Sequence, residues 1–199
     1  MSLLPLTRIN VVDSKDEQSE NILIMGIDWN QIDDDKTSNV CYDLRLGEQY
    51  RDHRDNSAKQ LEENGKISIT SGTAMIVETL ESISLPSTIF GSVYPKVSLS
   101  QKGLANLTSK VDPGYEGKLL ITIFNLGKKT IELEYKKAFC SIVFQEVNPA
   151  ASLYSKGGKN IEATVAQNKF RTTRDFINSH YGEIAIIISI IAIIVSAFK

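Results

Sequence analysis

The segment from Val111 to Gly117, VDPGYEG, holds the residue types in this chain that are best suited to chemistry. It places a carboxylate, Asp112, and an aromatic ring, Tyr115, on a tight Pro-Gly turn between two apolar runs. A carboxylate at such a turn can accept a ligand hydroxyl or orient a water molecule, and a tyrosine ring can pack against a small ring. The pattern favours a small-molecule pocket; the alternative is that Asp112 starts the turn and Tyr115 fills the core.

Short strands are the elements that must hold this turn. Between residues 21 and 149 the chain forms short alternating or wholly apolar runs separated by turn residues, and helical periodicity is weak. Such spacing predicts a mainly β fold, a distorted barrel or a sandwich. The charged segment 52–65 is predicted to be a solvated loop with at most one helical turn. The predicted strands are 22–25, 40–46, 67–69, 74–79, 89–93, 119–124, 131–133 and 139–144.

The composition is that of one globular domain followed by a tail. The chain has 199 residues, of which 42% are apolar and 23% are charged, with a formal net charge of −2. A weakly acidic chain has no basic field for a nucleic-acid backbone, so we expect no nucleic-acid partner. Cys41 and Cys140 have no metal-ligand spacing and are predicted to be reduced core residues, which leaves no protein-held metal.

The last segment differs in kind from the rest. Residues 184–198 are uncharged and apolar on every helical face, which predicts a C-terminal helix that anchors the chain in a membrane. A buried core or oligomer helix is the alternative. Basic residues just before this run predict that the preceding domain faces the cytoplasm. We therefore divide the chain into an N-terminal segment 1–20, a β domain 21–162, a linker 163–180 and a single-pass anchor 181–199.

Three ordered blocks resemble the dCTP deaminase and dUTPase superfamily. They are CYDLRLG at 41–47, PKVSLSQKGL at 95–104, and VDPGYEG followed by LLITIFN within 111–125. The similarity covers about residues 35–162, and KKAFCSIVF at 136–144 is similar to the last strand motif of the family. The resemblance implies a distorted β-barrel or β-clip fold, usually a homotrimer. Its nucleotide sites lie between subunits, and Mg²⁺ is carried by the triphosphate.

The resemblance also implies roles for individual residues. The phosphate-binding pattern Arg-Ser-Ser-x-x-Arg of deaminases falls on residues 96–101, where Lys96 and Ser98 retain some binding capacity. Lysine binds phosphate only as a point charge. Val97 offers no donor, and Gln101 is neutral where the family has its second arginine. In the arm that follows the domain, Tyr154 and Lys159 correspond to residues that close over the phosphates, with solvated loop residues as the alternative.

Thr122 is the largest departure from the deaminase pattern. It matches the glutamate that serves deaminases as general acid and base, and a threonine hydroxyl has no pKa near neutrality. Asp112 matches the dUTPase aspartate that positions the attacking water, and Asp112 with Tyr115 would also contact the deoxyribose. We therefore expect a membrane-anchored protein that binds dCTP or dUTP with impaired catalysis. The alternatives are an active dCTP deaminase or dUTP pyrophosphatase, and a non-catalytic trimeric membrane scaffold.

Overall fold

The computed structural model describes residues 2–32, 39–54, 57–155, 158, 160, 161 and 191. The chain divides into two compact units, residues 1–162 and 163–199, and every element described below belongs to the first. The predicted linker 163–180 and C-terminal apolar helix 181–199 lie outside the described residues, Ile191 apart. In the part that is described, no helix has both the length and the apolar character needed to cross a membrane.

The first unit is built from β-strands. Its described residues form β1 Val11–Val12, β2 Ile22–Met25, β3 Tyr42–Asp52, β4 Lys59–Gln60, β5 Lys66–Ile69, β6 Ala74–Ser84, β7 Ile89–Pro95, β8 Leu104–Asn106, β9 Ser109–Val111, β10 Glu116–Asn125, β11 Ile131–Glu134 and β12 Ala138–Glu146. One short helix, α1 Val97–Ser100, follows β7, and 3₁₀ turns lie at Lys15–Glu17 and Trp29–Gln31. Every predicted strand is present in whole or in large part, which confirms the mainly β prediction.

Strand β6 is the centre of the large sheet. One edge of β6 pairs with β10. The other edge of β6 pairs with β3 along one part of its length and with β2 along another. From β3 the order continues through β12 and β7 to β9, and β5 pairs with β11 in a separate two-stranded sheet. Within the described residues the path is open at β9 and at β1, so the strands do not form a closed barrel.

Alternating burial along the strands produces one apolar core. In β10, for example, Leu119, Ile121 and Ile123 are buried and the residues between them are half exposed. This period of two is what a sheet with one face on the core requires. Buried apolar side chains of β2, β3, β5, β6, β7, β10, β11 and β12 join in the same cluster.

Two sequence predictions about local structure are wrong. The segment 52–65 is not a wholly solvated loop with a helical turn, because Lys59 and Gln60 form β4 and pair with the end of β3. Strand β3 itself continues to Asp52, which is buried, because its last residues pair with β6. Cys140 is buried as predicted, but Cys41 is exposed because it lies just before β3 begins.

A buried carboxylate ties β6 to β3 and to the turn after β2. Glu81 on β6 is completely buried and accepts hydrogen bonds from the backbone N–H of Arg45 at 3.0 Å and from its Nε at 2.6 Å. It also accepts the hydroxyl of Tyr42 at 3.2 Å. Burial and the charge of Glu81 raise the pKa of Tyr42, so this phenol stays protonated. The same tyrosine oxygen accepts the N–H of Asp28 at 2.8 Å, and the Arg45 guanidinium donates to the carbonyl of Gly26.

We expect Glu81→Ala to lower the free energy of unfolding by about 3–5 kcal/mol, because it leaves the Arg45 charge and two further donors unpaired in the interior. Urea denaturation followed by circular dichroism measures this change. Glu132→Ala is the matched control, since Glu132 pairs with Lys66 on the surface at 3.5 Å with 58% of its side chain exposed. It should cost less than about 1 kcal/mol. Equal losses in the two variants would contradict a central role for Glu81.

Candidate functional site

The turn from Asp112 to Tyr115 connects β9 to β10 and is fixed against the residue that follows β6. The backbone N–H of Gly114 donates to the carbonyl of Leu85 at 3.0 Å, and the N–H of Leu85 donates back to Tyr115 at the same distance. The N–H of Tyr115 donates to the carbonyl of Asp112 at 3.0 Å, which closes the turn. Gly114 has a φ of +79°, a conformation that is costly for other residues. The sequence Asp-Pro-Gly-Tyr therefore forms the predicted tight turn.

Three of the predicted site residues line one cleft. Asp112, Tyr115 and Tyr154 surround a volume of about 710 Å³, together with Lys110, Ser152 and Ser155. The rings of Tyr115 and Tyr154 lie 5.8 Å apart between centroids and are tilted by 43°. Such a cleft is within the size range of small-molecule sites. The structure thus brings three of the predicted site residues into one cleft, and their roles remain proposals.

Charge and protonation in the cleft restrict what each group can do. Lys110 Nζ donates to a carboxylate oxygen of Asp112 at 3.0 Å, so this carboxylate is oriented by a cation. The hydroxyl of Tyr115 donates to the carbonyl of Lys118 at 2.6 Å. Burial raises the pKa of Tyr115 to about 12, with smaller contributions from Tyr154 and Glu78. Tyr115 therefore offers a ligand its ring rather than a base.

The sequence prediction missed Lys110, although a signal for it was present. In a strand, residues two apart lie on the same face, and Lys110 stands two positions before Asp112 at the end of β9. The sequence contained no such signal for Ser152 and Ser155, because they line the cleft only as a result of where the arm lies in the folded chain.

The arm after β12 lies along the turn through backbone hydrogen bonds. The N–H of Ala151 donates to Ser87 at 3.0 Å, that of Tyr154 to Pro113 at 2.7 Å and that of Gly158 to Glu116 at 2.9 Å. Tyr154 is thus positioned beside the turn by the main chain. Lys159, the other predicted arm residue, lies outside the described residues.

The predicted phosphate-binding residues occupy a different place. Lys96 is the residue before α1, and Ser98 and Gln101 are exposed on or just after this helix. Lys96 Nζ is paired with a carboxylate oxygen of Asp43, and the other oxygen of Asp43 accepts the hydroxyl of Ser141 at 2.5 Å. Lys96 is therefore already neutralised within its own chain.

The two groups of predicted residues stand at opposite ends of β7. Val111 of β9 lies opposite Gly91 near the start of β7, so Asp112 is beside that start. Lys96 follows Pro95, the last residue of β7. The length of the strand separates the two groups by about 20 Å. The described residues of one chain do not bring the cleft and α1 into one site.

Thr122 lies on β10 beside an acidic side chain that the sequence prediction missed. Thr122 is opposite Ile76 of β6, and Leu120 is opposite Glu78, so Thr122 and Glu78 point to the same face of the sheet. The Glu78 side chain is only 5% exposed and accepts a hydrogen bond from Lys118 Nζ at 2.7 Å. A charged residue in the apolar segment 74–79 was the available signal, because buried carboxylates are rare.

We expect Gly114→Ala to detach the arm, because the new Cβ would lie 2.8 Å from Cδ2 of Leu153. Chymotrypsin should then cleave after Leu153 or Tyr154 about tenfold faster. The matched control is Gly72→Ala, since Gly72 has a φ of +72° and no atom within 4 Å of a new Cβ. It imposes the same backbone strain, and cleavage in the arm should stay at the parent rate. Equal acceleration in both variants would show that strain, not contact with the arm, is responsible.

Several known proteins are similar to this chain. A dCTP deaminase from Thermococcus kodakarensis is 32% identical over 114 residues, which cover 57% of this chain and 72% of that protein. The solved structure of a 2′-deoxycytidine 5′-triphosphate deaminase from Agrobacterium tumefaciens is similar with a TM-score of 0.48 and 20% identity over 59% of this chain. That match spans 42% of the Agrobacterium chain. A dUTPase of Staphylococcus bacteriophage 80alpha matches with a TM-score of 0.49 and 13% identity, over 71% of this chain and all of that one.

The decisive comparison is with protein families, because it covers most of the β-strands described above. The family model described as dCTP deaminase-like matches residues 13–147, a range that includes β2 to β12 with both α1 and the Asp112 turn. This chain belongs to the dCTP deaminase-like family.

Proposed function

We propose that this protein binds a deoxypyrimidine nucleotide, dCTP or dUTP, in the cleft of Asp112, Tyr115 and Tyr154. The observation that carries the proposal is the convergence of these three side chains in one cleft of about 710 Å³. The relatives also support the proposal, because the proteins matched in sequence are named dCTP deaminases.

The cleft suits the sugar of such a nucleotide. The Asp112 carboxylate accepts a deoxyribose hydroxyl, and Lys110, which now holds it at 3.0 Å, keeps it oriented. The ring of Tyr115 packs against the sugar, because its hydroxyl is already used in the bond to Lys118. The ring of Tyr154 borders the same space from the arm.

A complete site requires more than one chain. A nucleotide cannot extend over the roughly 20 Å of β7 that separate the cleft from α1. The arrangement implied by the resemblance, a homotrimer with sites between subunits, places the α1 of one chain near the cleft of another. Mg²⁺ would then be held by the triphosphate of the nucleotide. Among the residues that the structure describes, no cluster of His, Cys, Asp and Glu can hold a metal ion.

In this proposal, the present protein is impaired in the deamination for which its relatives are named. Thr122 has no titratable group near neutral pH, and Gln101 carries no charge. Lys96 is neutralised by Asp43 rather than open to a phosphate. Each of these features weakens a role that the resemblance assigns to a charged side chain.

Membrane attachment is a separate part of the proposal and rests on the apolar residues 184–198. We propose that they anchor the chain with the β domain facing the cytoplasm. A chain that ends before residue 181 should move from the membrane pellet to the supernatant on ultracentrifugation. Continued sedimentation of the shortened chain would contradict the anchor.

A second candidate, an active dCTP deaminase, is favoured by Glu78. The Glu78 carboxylate is on the same face of the sheet as Thr122. Glu78 on β6 is the diagonal cross-strand neighbour of Thr122 on β10. It can take a proton from a water molecule that attacks C4 of cytosine and return it to the departing amino group, giving dUTP and ammonia. The ion pair with Lys118 orients the Glu78 carboxylate for the first of these steps.

Asp112→Ala should weaken dCTP or dUTP binding about tenfold to a hundredfold, because a charged hydrogen bond to the sugar is lost. Isothermal titration calorimetry of the full-length protein in detergent with Mg²⁺ and dCTP, dUTP or dTTP measures this. Asp16→Ala is the control, since Asp16 is exposed in the 3₁₀ turn Lys15–Glu17. A parent chain that binds none of the three nucleotides would refute the proposal and favour the scaffold alternative.

Chromatography of the same samples separates the two candidates. Under the leading proposal the parent chain forms no dUTP from dCTP, and Thr122→Glu combined with Gln101→Arg produces measurable turnover by restoring both charged groups. Under the second candidate the parent is active, and Glu78→Gln lowers kcat about a hundredfold or more, while Glu17→Gln, at an exposed residue outside both clefts, leaves it unchanged. Parental turnover would overturn the claim of impaired catalysis.

A further inference from the structure

A cleft near α1 is lined by three lysines for which the sequence predicted no role. Lys102, Lys128 and Lys129 line a volume of about 550 Å³. Leu99 of α1 forms part of the wall, and the turn between β10 and β11 forms much of the rest. The cleft therefore lies beside the helix that carries the predicted phosphate-binding residues but has a different set of cations.

These lysines differ from most others in the described part of the chain because none of them is in an ion pair there. Glu132 also lines the cleft, yet it interacts with Lys66 at 3.5 Å. The positive charge of the cleft is therefore left largely uncompensated, in a chain whose formal net charge is −2. The lysines that do pair with carboxylates are Lys15, Lys66, Lys96, Lys110, Lys118 and Lys136.

The loop that presents Lys128 and Lys129 is held by a buried amide. Asn125 has no exposed surface, and its Nδ2 donates to the carbonyl of Ile69 at 2.7 Å and to that of Lys129 at 2.8 Å. Its Oδ1 accepts the N–H of Gly127 at 3.0 Å. The backbone of Lys129 is consequently fixed to the core, which limits the entropy lost when a ligand orders the loop.

Close backbone packing holds Lys102 beside the same loop. A Cβ on Gly103 would lie 2.6 Å from backbone atoms of Gly127, so only a glycine allows this approach. The N–H of Leu126 donates to the carbonyl of Gly103 at 2.9 Å. Like charges are thus kept together by the main chain, and a multivalent anion between them would relieve their repulsion.

We propose that the cleft of Lys102, Lys128 and Lys129 binds an oligophosphate group, either the triphosphate of a nucleotide or a free oligophosphate. Three lysines around a concave surface suit several phosphate oxygens, which ammonium groups bind as point charges. The cleft also supplies the free cations that Lys96, paired with Asp43, cannot supply. The nucleotide form of this inference rests on the proposed function, whereas the oligophosphate form does not.

The test is isothermal titration calorimetry of the full-length protein with sodium tripolyphosphate, dCTP and deoxycytidine. The triple variant Lys102→Gln, Lys128→Gln, Lys129→Gln should raise the Kd for tripolyphosphate about tenfold or more. The matched control is Lys15→Gln, Lys136→Gln, Lys137→Gln, which removes the same charge from exposed lysines that do not line the cleft. It should change the Kd by less than about twofold.

The ligands separate the two forms of the inference. If the cleft variant weakens dCTP as well as tripolyphosphate, the triphosphate of the nucleotide is the bound group; if it weakens tripolyphosphate alone, the cleft takes a free oligophosphate. Equal weakening by both triple variants, or no binding of tripolyphosphate to the parent, overturns the inference. Asp112→Ala should leave tripolyphosphate binding unchanged, so failure of the proposed nucleotide site is distinguishable from failure of the lysine cleft.

Discussion

The buried carboxylate of Glu81 is the interaction on which the arrangement of the strands depends. An ionised group with no exposed surface must be matched by donors, and Arg45 and Tyr42 of β3 supply them. This requirement fixes how β3 lies against β6 and fixes the turn after β2 as well. Once one edge of β6 is committed to β3 and β2, its other edge is left for β10. The position of the Asp112 turn follows, because this turn leads into β10 and bonds to Leu85 just beyond β6.

The sheet also decides how the charged groups are distributed. The single strand β7 separates the cleft of Asp112 from α1, so the two lie at opposite ends of that strand. At the α1 end, Lys96 is satisfied internally by Asp43, and the unpaired cations of the described residues there are those of the lysine cleft. At the other end, Lys110 orients Asp112. The protein therefore keeps the cleft of Asp112, Tyr115 and Tyr154 apart from the cleft of the three lysines.

Membership of the dCTP deaminase-like family and the departures from its pattern have to be explained together. The strands and the Asp112 turn lie within the range that matches the family, and this turn forms a cleft of small-molecule size with the arm that follows β12. The charged side chains that the resemblance leads us to expect at 101 and 122 are absent, while a nearly buried carboxylate stands nearby at Glu78. The groups that shape the cleft therefore differ from those that would move a proton.

The sequence alone determined the local features of the protein, and the tertiary structure decided which distant residues meet. Alternation of apolar residues located the strands, because the period of two reports which side of each strand is buried. The Asp-Pro-Gly-Tyr turn followed from residues that favour turns, and ordered motifs were sufficient to indicate the family. The open order of the sheet, the pairing of β4 with β3, the exposure of Cys41 and the position of Glu78 beside Thr122 all depend on the folded chain. Periodicity carries no information about such contacts, because it shows which face of a strand is buried but not which strand lies beside it. Charged side chains also pair with groups that are close in space, which need not be close in the sequence.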